Sequence, residues 1–108
     1  MRSKDFRRVY DHGTRYSGRF FAAFYLRPEQ TDGKSVSRIG FTVPRSLGGA
    51  VARNRIKRRV REAVRLRLDQ LNPQWEIVFN PRRAAMESPF SELIREVEQF
   101  FLRCNSSS

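Results

Sequence analysis

Arginine side chains that could bind phosphate are concentrated between Arg45 and Arg67, in the segment RSLGGAVARNRIKRRVREAVRLR. The segment carries nine basic side chains, eight of them arginine, against the single acid Glu62. A guanidinium is a planar fork that can bind two phosphate oxygens at once, whereas a lysine offers a single point of charge. A run of mixed sign would be typical of a solvated helix face, but neighbouring like charges repel each other unless a counter-charge is present. The segment therefore predicts a binding surface for a polyanion.

Aromatic side chains offer a second mode of contact with nucleic acid, because unstacked bases can stack on their rings for about 1–3 kcal/mol each. Phe6 and Tyr10 near the N-terminus and Phe24 in an aromatic run are the candidates for lining a groove of this kind. The residues alone leave it open whether these three rings bind bases or pack in the core. Three other rings are predicted to be core residues: Phe20, Phe21 and Phe41.

Side chains for protein-based catalysis are not assembled in any recognisable motif. The single cysteine, Cys104, allows neither an intrachain disulfide nor a cysteine-based zinc site, and we expect it to pack as a small apolar residue. The single histidine, His12, falls at the end of a predicted helix, where it would complement the helix dipole. Three acids share one predicted helix with Arg95 and are expected to form an ordinary solvated face: Glu92, Glu96 and Glu98. If the protein takes part in catalysis, we expect the catalytic groups to belong to another molecule.

The basic segment needs a rigid element to hold its charges. Between the pair Gly48 and Gly49 and the stop at Pro73, the pattern predicts a helix over 50–71. Its apolar residues share one sector of a helical wheel and are expected to pack on a core: Ala52, Ile56, Val60, Ala63, Val64 and Leu71. Arg53 and Arg67 fall in the same sector near the helix ends, where their aliphatic stems can reach water or a partner. The charged face is therefore expected to be fixed in place.

The remaining pattern predicts an α+β fold with the element order αβββαβα, in which three helices pack on a four-stranded sheet. We predict a helix over 4–12, strands over 14–17, 19–27, 36–44 and 75–80, and a final amphipathic helix from Phe90 to Arg103. The loop PEQTDGKS is expected to join the second and third strands in an antiparallel hairpin. One domain over 1–104 and a disordered tail over 105–108 complete the prediction.

Composition limits the class of protein. The chain has 108 residues, enough for one domain with a buried core, and its formal net charge of +11 is typical of proteins that bind nucleic acids or membrane surfaces. No run of about 18 apolar residues and no signal-peptide core occurs in the sequence, so we expect the chain neither to span a membrane nor to be secreted. One unpaired cysteine fits a reducing cytoplasm.

The segment RIGFTVPRSLGGAVARNRIKRRVREAVR resembles the signature of the protein subunit of bacterial ribonuclease P, whose members share an R-N-R-x-K-R-x-x-R motif after a strand and a glycine-containing turn. The residues of the motif in this chain are Arg53, Asn54, Arg55, Lys57, Arg58 and Arg61. The resemblance extends to the N-terminal pattern S-K-D-F-x-x-V-Y-x-x-G, to the aromatic strand and to the final helix. It departs from the family at Pro44 and Ser46, where serine and a basic residue are frequent, and at NPRRA after the fourth strand.

This resemblance implies a fold, an activity and a division of roles. The fold is ribosomal-protein-S5-domain-2-like, with a left-handed crossover from the third strand through the basic helix to a parallel fourth strand, against the usual right-handed rule. The activity is removal of the 5′ leader from precursor tRNA by a large RNA, the ribonuclease P RNA, with Mg²⁺ held through that RNA and no cofactor bound by the protein alone. The protein is expected to be monomeric on its own and to have no membrane partner. Contacts with the catalytic RNA are implied for Arg53, Asn54, Arg55, Lys57, Arg58, Arg61 and Arg65, and contacts with the leader for Phe6, Tyr10 and Phe24, with Arg45 at the edge of their groove.

Two other functions compete with this interpretation. The protein could be a ribosomal-protein-like RNA-binding module with no role in catalysis, or a DNA-binding protein that lays its basic helix in a major groove. The second of these is disfavoured because Asn54 is the one amide on the helix before Gln70, which leaves few side chains for reading bases.

Overall fold

Three helices and four strands, in the predicted order, make up the part of the chain that the structure describes. The structure is a computed structural model that describes residues 3–27, 38–72 and 75–106, with side chains from Phe6 onwards. The helices are α1 (Ser3–His12), α2 (Ala50–Arg67) and α3 (Phe90–Ser106). The strands are β1 (Thr14–Ser17), β2 (Phe21–Leu26), β3 (Arg38–Phe41) and β4 (Glu76–Pro81). The predicted α+β class and element order are confirmed.

The strands pair in the order β1-β2-β4-β3, and this order corrects the predicted hairpin between the second and third strands. β4 lies between them, antiparallel to β2 and parallel to β3. The physical reason is burial: Ile77, Val78 and Phe79 of β4 are fully buried, which requires a central strand covered on both faces. β3, with the exposed Arg38, suits an edge. The parallel β3–β4 pair is connected through α2, consistent with the crossover that the resemblance implies.

One face of the sheet carries the main core, under α2 and α3. Phe21 and Phe79 from the strands meet Phe100 of α3, with ring centroids 5.8 and 5.4 Å from it. The predicted apolar sector of α2 is confirmed, since its middle residues are buried in this core: Ile56, Val60, Ala63 and Val64. The core assignments of Phe20 and Phe21, both buried, and of Phe41, which packs against the same cluster, are also confirmed.

Two helix ends differ from the predicted boundaries. α2 ends at Arg67, because Leu68–Gln70 tighten into a 3₁₀ turn, although Leu71 beyond it is buried as predicted. α3 continues to Ser106, so Asn105, which the sequence assigns to a disordered tail, lies in its last turn. The Asn105 side chain accepts a hydrogen bond from the backbone N–H of Asn72 at 2.9 Å and donates one to the carbonyl of Gln70 at 2.9 Å. Residues 107–108 lie outside the described residues.

The solvated face predicted for the acids of α3 is wrong for Glu96. This side chain is buried, and its carboxylate accepts hydrogen bonds from the backbone N–H of Arg19 at 2.6 Å and of Phe20 at 3.1 Å. Gly18 fits tightly beneath it, because a Cβ at that position would lie 2.6 Å from Glu96 Oε1. Burial raises the pKa of Glu96, while the N–H donors of the turn oppose that rise. Glu96 therefore fastens α3 to the turn between β1 and β2.

Candidate nucleic-acid interface

The outward face of α2 presents a row of cations on a rigid base. Asn54 and four arginines of the predicted RNA-binding set are exposed, namely Arg55, Arg58, Arg61 and Arg65, whereas Arg53 and Lys57 are half-buried. Because the opposite side of the helix is buried in the core, these side chains share one fixed surface. We call this surface the α2 cationic face.

Several arginines on α2 already contact other groups of the protein: Arg67 lies 3.5 Å from Glu98 Oε2, Arg61 lies over the Phe41 ring, and Arg59 and Arg65 make hydrogen bonds. Arg59, outside the predicted set, donates to the carbonyl of Met86 at 3.2 Å and to the carbonyl of Ser88, and lies over the ring of Phe90. It therefore joins α2 to the start of α3. Arg65 donates from Nε to Glu62 Oε2 at 3.0 Å, and this hydrogen bond lowers the pKa of Glu62. An anion that binds Arg65 must compete with Glu62 for it.

The opposite face of the sheet carries α1 and an aromatic groove beside it. Tyr10 of α1 and Phe24 pack in a T-shaped arrangement, with ring centroids 4.8 Å apart and an interplanar angle of 78°. The Tyr10 hydroxyl accepts a hydrogen bond from Asn80 Nδ2 at 2.8 Å. Phe6, one helical turn before Tyr10, is half-buried on the same helix. The structure thus brings Tyr10 and Phe24 into contact and places both away from the main core.

Phe24 opens onto a cavity of about 480 Å³. Its lining residues come from β1, β2, the end of β4 and the segments that follow β3 and β4: Arg15, Ala22, Phe24, Pro44, Leu47, Asn80, Pro81, Arg82 and Arg83. Arg45, predicted at the groove edge, is exposed in the 3₁₀ turn between the lining residues Pro44 and Leu47. We call the cavity together with the Tyr10 and Phe24 rings the aromatic groove.

Four polar residues of the groove were not identified from the sequence. Arg15 pairs with Phe24 across β1 and β2, and Asn80 pairs with Ala22 across β2 and β4, so each reaches the groove only through strand register. Arg82 donates to Ser17 Oγ at 2.8 Å, and Arg83 donates to the carbonyl of Ser46 at 3.2 Å. The sequence offers one signal for the last two, which is their position directly after a strand end.

Comparison with known proteins places this arrangement in a family. The sequence profile of the family described as "Ribonuclease P" matches residues 1–105. The chain belongs to the ribonuclease P protein family. It is 40% identical over 98 residues to the "Ribonuclease P protein component" of Symbiobacterium thermophilum, covering 91% of this chain and 83% of that protein. It is also 29% identical over 107 residues to the protein of the same name from Clostridioides difficile, covering 98% and 90%.

The fold of this ribonuclease P protein matches a solved relative as well. The structure of the RNase P protein from Thermotoga maritima superposes with a TM-score of 0.81 at 25% identity, covering 95% of this chain and 94% of that one. The suspected resemblance and the predicted fold are therefore confirmed, and the chain is a tRNA-processing, RNA-binding component of a ribonucleoprotein nuclease.

The described residues are expected to carry no metal ligands and no membrane span. Within residues 3–27, 38–72 and 75–106, no three His, Cys, Asp or Glu side chains come together in a group that could hold a metal ion. The Mg²⁺ implied by the family therefore finds no matching donor set in the described part of this ribonuclease P protein. No helix in the same residues is long and apolar enough to cross a membrane.

Proposed function

We propose that this ribonuclease P protein binds a catalytic RNA along the α2 cationic face and receives the single-stranded 5′ leader of precursor tRNA in the aromatic groove. Hydrolysis of the phosphodiester, and the Mg²⁺ it requires, belong to the RNA. The observation that supports this division most directly is the separation of two surfaces of different chemistry by one sheet. Arginines on rigid α2 suit phosphates, while the Tyr10 and Phe24 rings on the other face suit bases.

The α2 cationic face suits a folded RNA because guanidinium groups bind backbone phosphates. Phosphate contacts position a protein without reading sequence, and exposed guanidinium groups on one rigid helix can follow a line of phosphates. Asn54 supplies the one side-chain amide of this face that could read a base edge, so base-specific contacts are expected to be few.

The aromatic groove suits a single strand because it combines rings with cations at its rim. Phe24 is half-buried, so part of its ring is available to a base, and Arg15, Arg82 and Arg83 lie close enough to the same cavity to bind the connecting phosphates. A paired duplex keeps its base faces stacked and cannot use such a ring. The groove is therefore proposed to act on the unpaired leader.

Replacement of Phe24 by alanine tests the leader site. Loss of one stacking ring should weaken binding of leader-containing precursor tRNA to the reconstituted holoenzyme by about 1–3 kcal/mol, roughly 5- to 150-fold, and leave mature tRNA affinity nearly unchanged. Phe90→Ala is the matched control, because Phe90 is a half-buried ring on α3 outside the groove. Equal losses for precursor and mature tRNA would show that Phe24 acts only as a packing residue.

Sequencing the RNA that co-purifies with the protein from its own cells tests the function as a whole. One dominant structured RNA that cleaves precursor tRNA in the presence of Mg²⁺ is the expected result. Recovery of ribosomal RNA as the dominant species would instead support the ribosomal-protein-like alternative and reject the proposal.

We also propose that the protein is a monomer before it binds RNA and works in a reducing cytoplasm. The support comes from Cys104, the one cysteine of the chain, which is fully buried. Burial raises the pKa of its thiol to about 12, so almost no thiolate is present at neutral pH for disulfide exchange.

A further inference from the structure

Two charged side chains, Glu76 and Glu96, are buried in the part of the chain that the structure describes. The burial of Glu96 is explained by its hydrogen bonds to the turn between β1 and β2. Glu76 is the first residue of β4 and is 4% exposed. It alternates with the core residues Ile77 and Phe79, so it lies on the same face of the sheet as the aromatic groove. This face of the sheet is proposed to receive a polyanion, and the negative charge of Glu76 would oppose that binding. The contacts of the carboxylate indicate a structural role instead.

Glu76 joins three elements at one point. The guanidinium of Arg8, from α1, donates to both carboxylate oxygens of Glu76. Arg38 at the start of β3 places NH1 3.8 Å from Glu76 Oε1. The Glu76 side chain is buried while that of Arg8 is 45% exposed, so losing Arg8 would leave a buried carboxylate poorly compensated, which is costly. The Arg8–Glu76 link therefore holds α1 to β4 firmly.

A second link from α1 to β4 lies on the far side of Phe24. Asn80 donates to the Tyr10 hydroxyl, and Asn80 is opposite Ala22 in the strand register, whereas Glu76 is opposite Leu26. Phe24 sits halfway between these two positions, opposite Val78. The two links from α1 thus flank Phe24, and together they set how closely Tyr10 approaches its ring.

The connection between α1 and β1 is short and restricts how the helix can move relative to the sheet. α1 is joined to β1 through Gly13 alone, whose N–H bonds to the carbonyl of Val9 at 2.8 Å. A Cβ at Gly13 would lie 2.4 Å from that carbonyl oxygen, so the joint is tight. The end of α1 nearest Gly13 is held by this turn and by buried Val9, while the Arg8–Glu76 pair fastens the helix to the start of β4.

We propose that Glu76 is a positioning residue for leader binding: through Arg8 it holds α1 at the separation from β2 that lets the aromatic groove accept a base. The inference rests on the proposed function, since it concerns the site assigned there to the leader. Glu76 itself makes no contact with the leader. Its effect passes through Arg8 to α1 and so to Tyr10 beside Phe24.

Glu76→Gln tests the proposal in the reconstituted holoenzyme, because glutamine keeps the size and removes the charge. The preference for leader-containing precursor over mature tRNA should fall by about tenfold, a typical coupling between neighbouring groups. Amide hydrogen exchange in residues 6–12 should become faster, and affinity for the catalytic RNA should stay unchanged. Glu92→Gln, an exposed site on α3 with the same change of charge, should alter none of these.

The sign of the change separates positioning from simple charge balance. If Glu76 only offsets the charge of nearby arginines, Glu76→Gln will strengthen leader binding, and that result overturns the proposal. An unchanged preference with unchanged exchange in α1 overturns it as well. Adding Arg8→Gln to Glu76→Gln should cost less than the two single losses combined, since both changes break one link.

A shorter acid at position 76 and the Phe24→Ala variant separate failure of the positioning role from failure of the leader site. Glu76→Asp keeps the charge but shortens the side chain, so an intermediate loss of leader preference is expected even if the glutamine variant fails to fold. Full preference in the aspartate variant would oppose a positioning role. If Phe24→Ala leaves the leader preference intact, the proposed leader site itself fails; if Phe24→Ala abolishes the preference and the Glu76 variants retain it, only the positioning role fails.

Discussion

Simultaneous replacement of Arg55, Arg58 and Arg61 by alanine should weaken binding to the catalytic RNA by roughly 100-fold near 0.1 M salt. All three are exposed on the α2 cationic face, and their removal leaves the buried side of the helix intact. Each lost phosphate contact also lowers the slope of log affinity against log salt, by about 0.7 on single strands and 0.9 on duplex. A titration of RNA binding over a range of salt concentrations should therefore show a slope smaller by about 2–3.

A pair of arginines on α3 supplies the control for this triple variant. Arg95 and Arg103 are both exposed, and Arg103 lies over the ring of Tyr16. Replacing both by alanine removes charge without touching α2, so it should change the slope by much less than the triple variant does. A slope that stays at the wild-type value in the triple variant would remove the α2 cationic face from the RNA interface.

Glu96→Ala should lower the free energy of unfolding by about 2–4 kcal/mol, because it leaves the backbone N–H groups of Arg19 and Phe20 without their carboxylate acceptor in a partly buried turn. For a domain of this size the loss corresponds to a decrease in Tm of roughly 10–20 °C. Thermal unfolding followed by far-ultraviolet circular dichroism measures it directly.

The matched control for Glu96 is another acid of the same helix. Glu92 is exposed, so Glu92→Ala should change the unfolding free energy by no more than about 0.5 kcal/mol. The two variants share the helix, the residue type and the change of charge, and differ in burial and in hydrogen bonding. If both variants unfold at the wild-type temperature, the carboxylate of Glu96 does not hold the turn between β1 and β2.

Features that depend on neighbouring residues could be predicted before the fold was known. The apolar sector of α2 follows from a period of 3.6 residues, and the buried Ile56, Val60 and Val64 confirm it. The excess of arginine over acidic residues in the same segment is also visible from neighbouring residues. The cationic surface could therefore be located without knowledge of the fold. The R-N-R motif at Arg53–Arg55 and the pattern around Phe6 and Tyr10 led to the family in the same way.

Which strands are neighbours in the sheet depends on long-range packing and could not be predicted from local patterns. The second and third strands are adjacent in sequence, and a hairpin between them closes the shortest loop. Burial of Ile77, Val78 and Phe79 on both sides outweighs that advantage and places β4 between them. Register then brings Arg15 and Asn80 to Phe24, and no periodicity within one strand can show which residue of another strand lies opposite.

The two buried acids show the same limit most clearly. Glu96 and Glu92 both read as surface residues of one amphipathic helix, and what separates them is a turn 76–77 positions away in the chain that supplies N–H donors to Glu96. Glu76 meets Arg8 across 68 positions. A carboxylate can be buried only where donors or cations compensate its lost hydration, and those partners are assembled by the fold rather than by the local sequence.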